Sequence, residues 1–296
     1  MVDRGIMAFT GRTTVPLAWR SLLWANGQVS SNELVGIKVY SLPGPNSGTR
    51  PTVVTAVVEG LLAAGLSPKQ IVVWDKEAVH LRLAGFFDLE DKYGIRVLGS
   101  AQAGWDEEAY YTSPLIGNLI WGDYEFGKKS DGQGRKSFIS KLVTQQLTKI
   151  INVTPLLNHN LAGVSGHLYS LSTGSVDNVA RFEISPGRIA EAVPSIYELL
   201  NFNDRVVLNI TDALICQYEG GERGLLHYST TPNELRFSRD PVALDALSLA
   251  DIERQRQATD APALKANREL YSIATAHDLG VSDLKRIQIE TILVKE

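Results

Sequence analysis

The sequence is short of the residues that build most cofactor sites. It has one cysteine, Cys216, in 296 residues. That excludes an intrachain disulfide framework, a cysteine-ligated iron–sulfur cluster and a Cys-rich zinc site. None of its five histidines forms a His-x-x-x-His pair. No apolar run reaches the ~18 residues that span a bilayer. Its glycine-rich loops match neither a P-loop nor a Gly-x-Gly-x-x-Gly fingerprint, so a nucleotide is not supported. Positive charge is also scarce: 29 Lys plus Arg stand against 33 Asp plus Glu, a formal charge of −4. A general nucleic-acid binder needs a basic face, so that class is disfavoured. Met1 to Arg12 has basic residues but no apolar stretch of signal-peptide length. Two locations remain open, the cytoplasm and, for a mature chain whose export signal has been removed, the periplasm.

What is present reads as α/β. Hydrophobic residues make up 44%, enough for a substantial core. Short apolar runs alternate with helical patterns, which points to a mixed, mostly parallel sheet flanked by helices, with two lobes around a cleft as one arrangement. Strands are expected at Leu34–Tyr40, Ile71–Asp75, Ile95–Leu98, Lys149–Val153, Arg205–Thr211 and Ile287–Val294, all rich in Val and Ile and bounded by turn residues. One helix is expected from about Thr52 to Ala64, capped by Ser47 or Thr49, with Pro51 in its first turn and Gly65 after it. A second opens at Asp240-Pro241 and should be buried until Asp251, then emerge into solvent. Gly122 to Lys136, rich in Gly, Lys, Asp and Ser, reads as a surface loop.

In open α/β sheets ligands sit beyond the carboxyl ends of the strands. Asp75 and Asp212 close two expected strands, and His159 follows a third. Two carboxylates and an imidazole at one sheet edge would suit acid–base chemistry or a divalent metal; each alone equally suits a turn or cap. Lys38 lies inside an apolar strand, so it either faces solvent on an edge strand or meets an anion, because an unpaired buried ammonium costs several kcal/mol. Three glycine-rich loops could bring main-chain N–H groups to an anion. They are Leu42–Arg50, which carries Arg50 into a helix; Ala162–Gly166, with Gly163 and Gly166; and Gly220–Gly224, with Gly221 and, just before it, Glu219. Gly163-Val-Ser165-Gly166 is one residue short of a nucleophile elbow. Cys216 reads as a small buried hydrophobe, and His80, His227 and His277 as surface or turn residues.

Several segments together resemble a known family. They are Val35-Gly-Ile-Lys-Val39; Ser47-Gly-Thr-Arg-Pro-Thr-Val-Val54; Ile71-Val-Val-Trp-Asp75; Ile151-Asn-Val153 with His159; Leu161-Ala-Gly-Val-Ser-Gly166; Thr211-Asp-Ala-Leu214 with Gln217-Tyr-Glu-Gly-Gly221; and Ser238-Arg-Asp-Pro-Val-Ala-Leu-Asp245. In this order and spacing they resemble the bacterial family catalogued as domain of unknown function three-six-two. The resemblance runs over roughly 15–290, implying one domain there (lobes 15–140 and 141–290) and an N-terminal extension at 1–14. Many members are fused to ferredoxin-like modules or begin with export signals. A distant likeness in fold to nickel-pincer lactate racemases is analogy only. The resemblance retains Lys38, Asp75, His159, Asp212, Glu219, Asp240 and Asp245. The chain departs from the family pattern at Tyr40, Leu157, Ser165 and Tyr169-Ser170, where members carry Asn, Lys, Thr and Lys-Asn.

The expected function is an enzyme for a small anionic metabolite, a carboxylate or phosphate. Lys38, Arg50, Gly163, Gly166, Glu219, Gly220 and Gly221 would hold the anion. His159 would be the acid–base, oriented by Asp212 or Asp75, and a divalent metal on His159 and carboxylates is a variant. The alternative is a binding protein that has lost catalysis. An electron-transfer accessory fits poorly with a single cysteine.

Overall fold

The computed structural model describes residues 1–24, 30, 32–112, 136–259, 261 and 267–294. Ten strands are present among them: β1 Val35–Val39, β2 Ile71–Asp75, β3 Arg96–Gly99, β4 Trp105–Thr112, β5 Lys136–Ser140, β6 Lys149–His159, β7 Gly163–Val164, β8 Val206–Gln217, β9 Ser229–Thr230 and β10 Glu234–Ser238. The main sheet runs β10-β8-β6-β1-β2-β3. Its inner ladders are parallel, while β10, β7 and β9 add antiparallel. β4 and β5 form a separate antiparallel pair. The family of fold expected from the sequence is therefore the one observed. The 140/141 boundary falls between β5 and β6, yet β6 pairs directly with β1, so one sheet crosses it.

Parallel strands covered on both faces need apolar residues on both sides. On one face Val35, Ile37, Val39, Val73, Ile151 and Ile210 pack under the helices Val15–Leu23 and Pro51–Ala63 through Trp19, Val54, Val58 and Leu61. On the other, Val72, Trp74 and Ile150 pack under His167–Gly174 and Pro186–Leu199 through Leu168, Leu171, Ile189 and Val193. The N-terminal segment forms the helix Val2–Thr10, which buries Val2 and Ile6.

Several sequence expectations are corrected. Ile287–Val294 forms no strand: Ile289 is 67% and Leu293 83% exposed, because alternating apolar residues become a strand only beside a partner ladder and none is there. Residues 122–135 lie outside the described residues, and Lys136 begins β5. The Pro51–Ala63 helix has Arg50 at its N-cap position and no side-chain cap. Thr49 cannot serve, since its hydroxyl accepts from Tyr40 N (2.9 Å) and donates to the Val153 carbonyl (2.8 Å). The Pro241–Ala258 helix is capped by Asp240, as its sequence implied, but Ile252 and Arg256 stay buried beyond Asp251. β8 runs on to Gln217, so Asp212 sits mid-strand rather than at its end.

Asp245 joins that helix to the sheet. Its carboxylate accepts from the His167 (2.7 Å) and Leu168 (3.0 Å) N–H groups, filling the N-terminus of the His167–Gly174 helix. Gly166 leaves room for it, since a Cβ there would lie 2.2 Å from Asp245 Oδ1. Burial pushes the Asp245 carboxyl up to about 7 against the pull of those two N–H groups. The folded state therefore holds a proton that the unfolded chain releases near pH 4. The resulting stability is complete below about pH 4 and is lost as pH rises through 7, up to about 4 kcal/mol. In urea denaturation wild type should lose stability between about pH 4 and pH 7, whereas Asp245→Asn, a neutral isostere of the protonated carboxyl, should show no such decline and so gain on wild type as pH rises.

Candidate functional site

The strand ends of β1, β2 and β6 bring polar side chains together. Lys38, on β1, is fully buried. Its ammonium donates to Asp75 Oδ1 (2.8 Å), Ser170 Oγ (2.9 Å) and the Val39 carbonyl (2.7 Å), and lies 5.6 Å from the Trp74 ring. Of the two alternatives for this lysine, the anion is the one realised. Asp75 in turn accepts from Ser41 N (2.7 Å), Ser41 Oγ (2.6 Å) and Lys76 N (2.8 Å). Burial pulls the Lys38 ammonium below its usual range, and Asp75 opposes that. Gly174 permits the packing: a Cβ there would sit 2.4 Å from Lys38 Cε.

One residue past β1, Tyr40 meets His159 from the end of β6. The Tyr40 hydroxyl donates to Glu222 Oε1 at 2.7 Å, and His159 Nε2 lies 3.7 Å from the same oxygen. His159 Nδ1 accepts from Ala162 N (2.9 Å) and Leu161 N (3.2 Å). With Nδ1 an acceptor, the ring proton is assigned to Nε2, the nitrogen nearer Glu222. Tyr169 packs against the imidazole, centroids 4.2 Å apart and rings tilted by 40°, and donates to Glu183 (2.7 Å). The Ser165 hydroxyl is buried beside Tyr40 and closes no hydrogen bond of ordinary geometry among the described residues. Burial first, then Glu222 for Tyr40 and then Tyr40 and Glu183 for Tyr169, raises both phenols well above the usual tyrosine range, so both remain donors.

The other sequence-derived candidates go elsewhere. Asp212 does not meet His159; it accepts from Arg50 N (3.1 Å) and the Arg50 guanidinium (2.5 Å). Burial raises the Asp212 carboxyl and Arg50 opposes the rise. Gly163 sits at φ +92° beside Leu249 and Tyr271, and the His167 and Leu168 N–H groups at the helix start after Gly166 are taken by Asp245. Glu219 forms an ion pair with the buried Arg256. Gly220 and Gly221 turn the loop at positive φ. Gly221 N donates to Asn158 (3.0 Å), and Gln217 Nε2 donates to the carbonyls of Glu219, Gly221 and Arg223 (2.9, 3.2 and 2.8 Å). Next to this loop is a cavity of about 720 Å³ lined by Asn160, Tyr218, Arg223 and Tyr228 among others.

Glu222 and the partnership of His167 escaped the sequence reading. Glu222 had one signal, a carboxylate inside Gly-Gly-Glu-Arg-Gly, but its target is more than 60 residues away. His167 is fully buried among Thr154 and Thr211 (Nε2 to Thr211 Oγ1, 2.9 Å), and burial lowers it to about 3, so it is neutral. Among the described residues no three His, Cys, Asp or Glu side chains are grouped as metal ligands. No described helix is long and apolar enough to cross a membrane.

A family profile described as Domain of unknown function (DUF362) matches residues 35–250. No curated protein matches the chain. Among solved structures, it is similar to the crystal structure of a Thermotoga maritima protein, a structural-genomics target, with a TM-score of 0.44 and 10% identity. The match covers 83% of this chain, which spans 58% of the other.

Removing one partner of the central ion pair should cost more than removing both. Lys38→Met leaves a buried carboxylate unpaired and should lower unfolding free energy by about 3–5 kcal/mol. Lys38→Met with Asp75→Asn should recover a substantial part, read as the coupling in a denaturant double-mutant cycle.

Proposed function

Because the chain belongs to the DUF362 family, whose chemistry is undefined, we propose that it is an enzyme acting on a small anionic metabolite at the carboxyl edge of β1 and β6. One observation carries the reading: the Tyr40 hydroxyl donates to Glu222 Oε1, and His159 Nε2 lies 3.7 Å from that same oxygen. Two preorganised donors aimed at one point, in a site mostly closed to water, suit an oxygen on which negative charge builds up. His159 would then act through its ring N–H as a donor, since its other nitrogen is occupied by main-chain N–H groups. Tyr169 holds the ring by packing against its face at a tilt. Lys38 and Asp75 act as positioning residues, because their pair fixes Ser41 and with it the turn that presents Tyr40. Arg50 and Asp212 fix the other end of that loop.

A second reading, a binding protein without turnover, is favoured by the state of the two cations expected to hold the anion. Lys38 and Arg50 are both already neutralised by carboxylates.

Incubation of the protein with a panel of 2-oxo and 2-hydroxy carboxylic acids distinguishes the readings, with consumption followed by NMR and binding by calorimetry. Turnover should fall about 10²-fold or more in Tyr40→Phe, the cost of one oxyanion donor. Binding that weakens in Tyr40→Phe, with no turnover in either protein, would select the second reading. A panel neither bound nor consumed would overturn both.

A further inference from the structure

We propose that the ligand group recognised by Tyr40 and His159 is a carboxylate, and that Glu222 is an internal stand-in which the incoming ligand displaces. This deepens the reading above and rests on it.

The two donors are almost wholly buried, Tyr40 at 6% and His159 at 7% exposure. The group they meet is not: the Glu222 side chain is 42% exposed. It reaches inward from a surface loop and covers them. Glu222 is a charged carboxylate there, since the contact with His159 and the Tyr40 hydrogen bond hold its carboxyl below the usual range against partial burial.

The loop is built so that Glu222 can leave. Its frame is tied by Gln217, whose amide nitrogen reaches three loop carbonyls and whose oxygen accepts from Leu225 N (3.0 Å). Asn158 holds Gly221, and Arg256 holds Glu219. None of these ties involves the Glu222 side chain. Rotation of that side chain alone would uncover the donors while breaking none of these frame bonds.

Charge selects the class of ligand. Exchanging one carboxylate for another leaves the charge of the site unchanged. A phosphate dianion would add a negative charge near Asp75 and Glu183, with Lys38 and Arg50 already committed to Asp75 and Asp212. A monocarboxylate is therefore the group that fits, bound through one oxygen by the phenol and the imidazole N–H.

The test titrates the full chain with ¹³C-acetate by NMR, and with inorganic phosphate in parallel. Glu222→Ala should bind acetate about tenfold or more tightly than wild type, the worth of one released hydrogen bond or more. Tyr40→Phe in the Glu222→Ala background should lose that gain. Emptying the site leaves buried donors unmet, so acetate should also raise the melting temperature of Glu222→Ala more than that of wild type, a readout that holds even where the variant is less stable. Equal acetate affinity in wild type and Glu222→Ala, with binding lost in Tyr40→Phe, would overturn displacement and leave the functional reading standing. Phosphate bound more tightly than acetate would overturn the carboxylate assignment. Acetate binding by neither protein would overturn both proposals.

Discussion

An ammonium group at the centre of a covered sheet has to be matched, and the match organises what surrounds it. Lys38 sits on an inner strand with no access to water, where an unpaired charge would cost several kcal/mol. Its three contacts come from a neighbouring strand, from the helix packed above and from its own main chain. Asp75 passes the constraint on by taking both the N–H and the hydroxyl of Ser41. The chain therefore leaves β1 in one direction only, and Tyr40 is set at a fixed height beside the end of β6. Without the buried pair, Ser41 would lose both bonds that fix the turn directly after Tyr40.

The same solution recurs across the molecule. At three places where the fold presents a cation or a cluster of donors, the chain supplies its own carboxylate. Asp75 meets Lys38, Asp212 meets Arg50, and Asp245 fills a helix start. These three carboxylates are buried within the packed body. Glu222 meets Tyr40 and His159 in a comparable way, but from an exposed loop turned by Gly220 and Gly221. Accessibility separates the fourth case from the other three. A carboxylate sealed inside a core is exchanged only by unfolding it, whereas one at a surface competes with solutes.

Much of the architecture was legible because it is local. Apolar runs bounded by turn residues marked β1, β2, β3 and the start of β6 and β8, and Asp240-Pro241 marked a helix start. Alternation along β1 placed Lys38 opposite Val35, Ile37 and Val39, which the two packed faces reproduce. The misreadings share a cause. Ile287–Val294 has strand composition, but a strand is a property of a pair. Thr49 has the chemistry of a cap, but a carbonyl on β6 claims its hydroxyl. Asp212 looked like the end of a strand because its own neighbours do not reveal that β8 continues past a bulge opposite Pro155 and Leu156. Glu222 carries no local mark that distinguishes it from a solvated surface acid. Tyr40, Ser165, Tyr169 and Ser170, where the chain departs from the pattern of the family it resembles, fall around one site, an arrangement that appears only once the chain is folded.

The lone thiol has a consequence of its own. Cys216 lies in β8, 1% exposed, and burial pushes it up to about 12. A thiol reagent acts on the thiolate and must also reach it, so the folded chain is nearly inert to alkylation. Cys216 is one residue from Gln217, the frame of the Glu222 loop, and on the same strand as Thr211 and Asp212. The rate at which the sulfur becomes modifiable is thus a clock for the opening of that strand, and through it for the loosening of the loop frame.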